Sequence, residues 1–326
     1  MSLLARYAEN LFWLARYLER ASSLARIIET HMAYDRGRAE DVSWAWLVAL
    51  YSDQEKFASL YEDTSFKNVL KFYMADLENP GSIRFALRAA RENARALRAA
   101  IPTEMWVHLN EFYNRFLVIP DADLDAIRLS RTCSQIESGC YTQLGVAEST
   151  LYRGEGWRFF LLGLMIERAD QTSRLLDVKF AQLDTRTSGI DQVADSVFWA
   201  LILRSAAAYQ AYHRYEQRGN DPNLIARFLL NNGSHPRAIN CCLRQIQRLL
   251  DELRAGYHLE RANAAHTRTT AMIDVLQRAA HDDRVVAHLH GINDEIQRGL
   301  IALTNELSTI FFGYPEPEVS QIQMQA

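Results

Sequence analysis

Glycine and proline are scarce in this chain, with 14 and 7 among 326 residues. These residues interrupt helices and build tight turns, so their rarity leaves long segments free to run as helix. No run alternates β-branched and polar residues over the length of a strand, which argues against a sheet. Lysine is nearly absent: Lys56, Lys67, Lys71 and Lys179 are the only four, and arginine supplies the rest of the 36 basic residues. With a net charge of −4 there is no global basic field, so nucleic acid and anionic membrane are excluded as partners. The longest apolar runs, 159–166 and 197–203, fall far short of the ~20 residues that span a bilayer, and no signal-peptide pattern opens the chain. The four cysteines, Cys133, Cys140, Cys241 and Cys242, make no C-x-x-C pair and read as reduced thiols of a cytoplasmic protein. Phosphate-cradling glycine loops, G-x-S-x-G elbows and Glu-x-x-His motifs are all missing.

What is present is helical periodicity. Residues 3–33 form one amphipathic helix, with Leu4, Tyr7, Leu11, Leu14, Leu18, Ala25 and Ile28 on one stripe. The opposite arc carries Glu9, Phe12, Arg16, Glu19, Arg20 and Ser23. Further helices are expected over 41–61, 64–77, 81–100, 104–117 and 122–152, with a second series from 155 to 312. Pro80 and Pro236 are placed at helix starts, and Thr103 and Asp121 are candidate caps.

The second series echoes the first. Phe12–Glu29 aligned on Phe160–Asp177 keeps Phe, Leu, Glu, Arg, Ala and the later arginine, Arg26 against Arg174. Trp46-Leu47-Val48-Ala49-Leu50 aligns with Trp199-Ala200-Leu201-Ile202-Leu203, and Phe72, Pro80, Ile83 and Leu87 with Phe228, Pro236, Ile239 and Leu243. A repeat of about 150 residues is much longer than the ~20–50 of a solenoid, so two fused halves are expected. The fold class is therefore all-α, a tandemly duplicated helical bundle with two homologous halves about a pseudo-two-fold axis. The halves are 1–152 and 153–313, followed by a disordered tail, 314–326. Self-association of such a chain stays open.

Both copies keep Glu-Arg, as Glu19-Arg20 and Glu167-Arg168. The arc bearing them also carries Phe12 in one copy and Phe160, Leu161 and Leu164 in the other, so it is expected to be covered rather than solvated. Helix geometry offers Arg16 to Glu19 as a neighbour one turn away. Symmetry offers crossed pairs, Glu19 with Arg168 or Arg174, and Glu167 with Arg20 or Arg26. One reading is structural: buried salt bridges that fix the register of the halves. The other is functional: Arg16, Glu19, Arg20, Arg26, Glu167, Arg168 and Arg174 line a site for a carboxylate or phosphate, with Glu as a base or amine ligand. Ion-pair networks are the common meaning of such clusters, and the structural reading is preferred.

Three other groups carry residue types that could support chemistry. His281, Asp282, Asp283, His288, His290 and Asp294 form a His/acid cluster, but the spacing suits a turn and a solvated helix face, and no metal is expected. Cys133 lacks the context of a catalytic thiol. Arg84, Arg88, Arg91, Arg95 and Arg98 form a basic stripe at helical spacing that reads as a solvated face. No cofactor is expected.

Ala8-Glu9-Asn10-Leu11-Phe12-Trp13, with Arg16-Tyr17 and Glu19-Arg20-Ala21, closely resembles the opening of the bacterial alpha-E family. Gly156-Trp157-Arg158-Phe159 through Gly163 to Ile166-Glu167-Arg168-Ala169-Asp170 resembles its second motif, and 90–95 with Trp106 and Asn110 adds to the match. Leu164, where the other copy has Arg16, departs from that pattern. The resemblance implies an all-helical protein commonly encoded beside, or fused to, a circularly permuted ATP-grasp-like protein, often with a transglutaminase-like peptidase nearby. It thus implies a non-catalytic helical partner of an amide- or peptide-ligating system. The alternative is an enzyme acting on an amino-acid or peptide substrate through the Arg/Glu-lined site.

Overall fold

A computed structural model describes residues 2–34, 44–120, 124–125, 128–183, 192–216, 219–257 and 262–315. All regular structure among them is helical. The organising element is α1 (Ser2–Tyr34). Between Leu11 and Ile28 only Trp13, Tyr17 and Arg20 keep partial exposure. Both the apolar stripe and the arc opposite it are therefore covered. The coverage comes from α5 (Ile83–Ala96), α7 (Leu129–Thr150) and above all α8 (Glu155–Leu183), with smaller contacts from α9 (Gln192–Ser205) and a π-helical turn, Ser308–Phe312. One apolar core runs continuously from Ala8 to Phe312. Burial of a helix on every side draws its stability from packing rather than from intrinsic propensity.

The α1–α8 contact fixes the register of the charged residues. A Cβ on Gly163 would lie 2.1 Å from the backbone oxygen of Phe12, so only glycine lets the two backbones meet here. From that point, one turn along α1 leads from Phe12 to Arg16, and one turn along α8 leads from Gly163 to Glu167. The two helices run side by side in the same direction, and the close approach delivers an arginine of one to a glutamate of the other.

Around this pair, α2 (Ala45–Tyr51), α3 (Gln54–Leu60), α4 (Phe66–Leu70) and α6 (Thr103–Arg115) complete the first part of the chain. After α9 come α10 (Tyr209–Tyr215), α11 (Pro222–Asn231), α12 (Ile239–Tyr257), α13 (Ala262–Ala280) and α14 (Leu289–Leu307). α12 packs on α8 and α13, and α14 on α13 and α8.

Several boundaries differ from the sequence expectation. The helix expected over 41–61 breaks at Ser52, which takes a left-handed φ of 57° and closes α2, while Asp53 accepts a hydrogen bond from the Tyr73 hydroxyl at 2.9 Å. The 64–77 helix is α4 continued by a π-helical turn, Lys71–Ala75. Pro80 and Pro236 lie in the turns before α5 and α12, not at their first residues. Ser82 caps α5 through its side chain, and the proline that does occupy a first helical position is Pro222 of α11, behind the capping Asp221. Thr103 is the first residue of α6 and Pro102 holds the cap position with no side-chain bond. Asp121 and most of the 314–326 tail lie outside the described residues.

Candidate functional site

Glu19 and Glu167 have no exposed surface. Each is met by two arginines. Arg16 donates from Nε to Glu167 Oε2 at 2.8 Å. Arg20 bridges both oxygens of the same carboxylate, at 2.7 Å to Oε1 and 3.1 Å to Oε2, and Gln171 adds a bond to Oε1 at 3.2 Å. Glu19 receives Arg168 Nε at 3.1 Å on Oε2, and on Oε1 the guanidinium of Arg237 and the Ser23 hydroxyl. The pairs are crossed: α1 arginines reach the α8 glutamate, and an α8 arginine reaches the α1 glutamate.

Burial by itself would raise both carboxyls. For Glu167 the charges of Arg20 and Arg16, with their hydrogen bonds, outweigh burial and hold the group below the ordinary carboxylate range. For Glu19 the charges of Arg237, Arg168 and Arg26 do the same. Both are carboxylates at neutral pH, with their oxygens taken up by the protein. Glu167 accepts four hydrogen bonds and has no acceptor position left, Glu19 accepts three, and neither has exposed surface through which to act as a general base. The arrangement is suited to locking α1 against α8 and α12. Breaking one partner would strand the others in the core, at a typical cost of about 3–5 kcal/mol.

The remaining expected residues go elsewhere. Arg16 bypasses Glu19, its neighbour on the helix, because the Gly163 contact puts Glu167 nearer; its Nη1 also reaches Thr304 of α14 at 3.1 Å. Arg174 pairs with Asp170 at 2.8 Å on its own helix. Arg26 bonds Glu137 of α7 at 3.1 Å, Ser22, and the Tyr141 hydroxyl at 2.5 Å. Arg237 was not anticipated. It follows Pro236 in the turn before α12, where the aligned position in the first part of the chain is Gly81, so no repeated pattern marks it. Leu164, which aligns with Arg16 in the sequence, is buried apolar surface. Thus each carboxylate has two guanidiniums, but the second arrives by a different route.

The other candidates are now placed. His288 meets Asp282 at 2.6 Å and His290 meets Asp177 at 2.9 Å, as separate exposed pairs. Among the described residues no group of three or more His, Cys, Asp or Glu side chains could hold a metal ion. Burial, with help from Glu29 and Glu137, pushes the Cys133 thiol well up, which makes it a poor nucleophile. No described helix is long and apolar enough to cross a membrane. The arginine stripe is not simply solvated. Arg91 donates to Asn110 at 2.8 Å, and its guanidinium lies 5.6 Å from the Trp106 ring and 5.1 Å from Tyr113. Arg98 lies 5.6 Å from Trp106, and Arg84 donates to the Leu117 carbonyl at 2.8 Å.

An all-helical core crossed by Glu-Arg pairs defines the class of this protein. Residues 3–312 match the Alpha-E family, described as a predicted alpha-helical domain with a conserved ER motif, and the chain belongs to that family. No curated protein and no solved structure matches it.

Proposed function

We propose that this protein is a non-catalytic helical partner of an ATP-grasp-like amide or peptide ligase, built as two related halves fused in tandem. The observation that carries this reading is the sealed state of the Glu-Arg cluster. Four arginines satisfy two fully buried carboxylates, which supports a role for the signature glutamates in holding the fold. The enzyme alternative would have to work through the partly exposed faces of Arg20 and Arg168, since both glutamates are sealed. The ligase association itself comes from the company that Alpha-E proteins keep.

A partner surface is available on α5 and α6. Arg88, Arg95 and Arg98 are exposed there, Arg91 lies between Trp106 and Tyr113, and Glu92 is the one acid among the stripe's five arginines. Arginine and tryptophan are the residues that dominate binding energy at interfaces, and this face suits an acidic patch on the ligase. Co-expression with an ATP-grasp-like protein from the same gene neighbourhood tests the reading. A complex that survives size exclusion, together with ATP turnover that depends on this chain, is expected. Arg91→Glu with Trp106→Ala should weaken that complex at least tenfold, about 1.4 kcal/mol. No complex at micromolar concentration, with ligase activity indifferent to the chain, would overturn it.

A further inference from the structure

A cavity of about 550 Å³ opens where the end of α1 meets the end of α9 and the start of α10. Its lining includes Glu29, Tyr34, Leu201, Arg204, Ala207 and Tyr209. The volume lies within the range of about 300–1,000 Å³ common for small-molecule sites. Two opposite charges face this one space, yet neither has an ionic partner among the described residues.

Glu29 is preset. Its Oε1 accepts hydrogen bonds from Ser130 at 2.9 Å and Ser134 at 3.0 Å, both from α7, while Oε2 takes none among the described residues. Arg204 is preset as well, its guanidinium 4.1 Å from the Tyr209 ring centroid, with no carboxylate on it among the described residues. The last turn of α1 also lines the cavity, through Thr30, Ala33 and Tyr34, and a helix C-terminus favours a cation. Leu201, Ala207 and the two tyrosines supply apolar wall for a ligand's body.

We propose that this cavity binds a zwitterion, an α-amino acid or short peptide, with its ammonium on Glu29 and its carboxylate on Arg204. The ligand completes two ion pairs that Glu29 and Arg204 do not make with each other. Charge-assisted hydrogen bonds of this kind are roughly twice as strong as neutral ones, and the serine bonds and ring stacking reduce the ordering cost of the side chains. The proposal stands independently of the ligase-partner reading, since the cavity is distant in sequence from the α5–α6 face.

Isothermal titration of the full chain tests it, with L-leucine, L-phenylalanine, L-glutamate and L-leucyl-L-leucine each in turn, and N-acetyl-L-leucine and L-leucinamide as capped controls. At least one zwitterion should bind saturably. Removing either end charge, by capping the ligand or by Glu29→Gln or Arg204→Gln, should weaken binding at least tenfold. Arg204→Lys should retain more affinity than Arg204→Gln. Tighter binding of leucine than of the dipeptide would assign a free amino acid, and the reverse order a peptide. Circular dichroism of the variants should match the parent; if a variant unfolds, the contrast between zwitterion and capped ligand on the parent protein still decides. No saturation by any zwitterion up to about 10 mM, or capped ligands binding as well as zwitterions, would overturn the proposal.

Discussion

The charges of the α1–α8 seam and those of the α1–α9 cavity are of the same kinds and have opposite fates. At the seam, Glu19 and Glu167 are sealed and each is held by two arginines. At the cavity, Glu29 and Arg204 face one space with no ionic partner among the described residues. Both sets draw on α1, within a few turns of one another. Carboxylate and guanidinium say little about role by themselves; the distinction lies in whether packing has already supplied the counter-charge. A completed pair in the core specifies register. An incomplete pair across a cavity leaves interaction energy available to a ligand.

The comparison predicts a graded set of effects. The largest is at the seam: Glu167→Gln should lower stability by about 3–5 kcal/mol in denaturant unfolding, because Arg16 and Arg20 are left without their counter-charge. A loss below about 1 kcal/mol would show the seam to be no more than a surface-type pair. Next is acid sensitivity. His31 is buried against Trp46, ring centroids 3.9 Å apart, and burial lowers its pKa to about 4. A group whose folded pKa is depressed contributes stability above its unfolded pKa of about 6.5 and loses it as pH falls toward the folded value. Between about pH 6.5 and 4 the protein should therefore lose about 3 kcal/mol. His31→Phe should remove most of that slope, leaving a remainder from His235, which burial also shifts down. The two seam carboxylates, held low, keep their contribution above about pH 4.3 and lose it only in more acid solution. An unchanged slope in His31→Phe would reject this division of the pH range.

Gly163→Ala should cost about 1–3 kcal/mol, or more, by forcing α8 off the backbone of Phe12. The seam distances should shift with it, so thermal unfolding of the double variant with Glu167→Gln should show less than additive loss. The smallest effect is at the cavity. Glu29→Gln and Arg204→Gln should each alter stability by no more than about 0.5 kcal/mol, since neither breaks an existing ion pair. A loss on the seam's scale would show that these charges are already paired within the fold.

Much of the architecture was open to reading from residue order. The periodicity of 3–33 located α1 to within a residue or two, and the bulky apolar residues sharing an arc with Glu19 and Arg20 implied that both sides of that helix are covered. The Glu-Arg repetition also pointed to crossed pairing, because neighbouring positions on a helix face different ways. The α2–α3 break was not legible, since Ser52 is not a glycine, yet it takes a left-handed backbone with its N–H bonded back to the Ala49 carbonyl. Arg237 escaped for a related reason: it enters the cluster from a turn far along the chain, with Gly81 at the aligned position.

The sequence by itself determined that the protein is helical, where its longest helix runs, and which acidic and basic residues recur. Those properties arise from local propensity and from a hydrophobic pattern written at helical period. Tertiary structure alone decided which arginine serves which glutamate and which charges have no ionic partner among the described residues. Ion pairing depends on separations of a few ångströms between helices, set here by the backbone contact at Gly163 and by the turn that presents Arg237. No spacing along the chain encodes that distance.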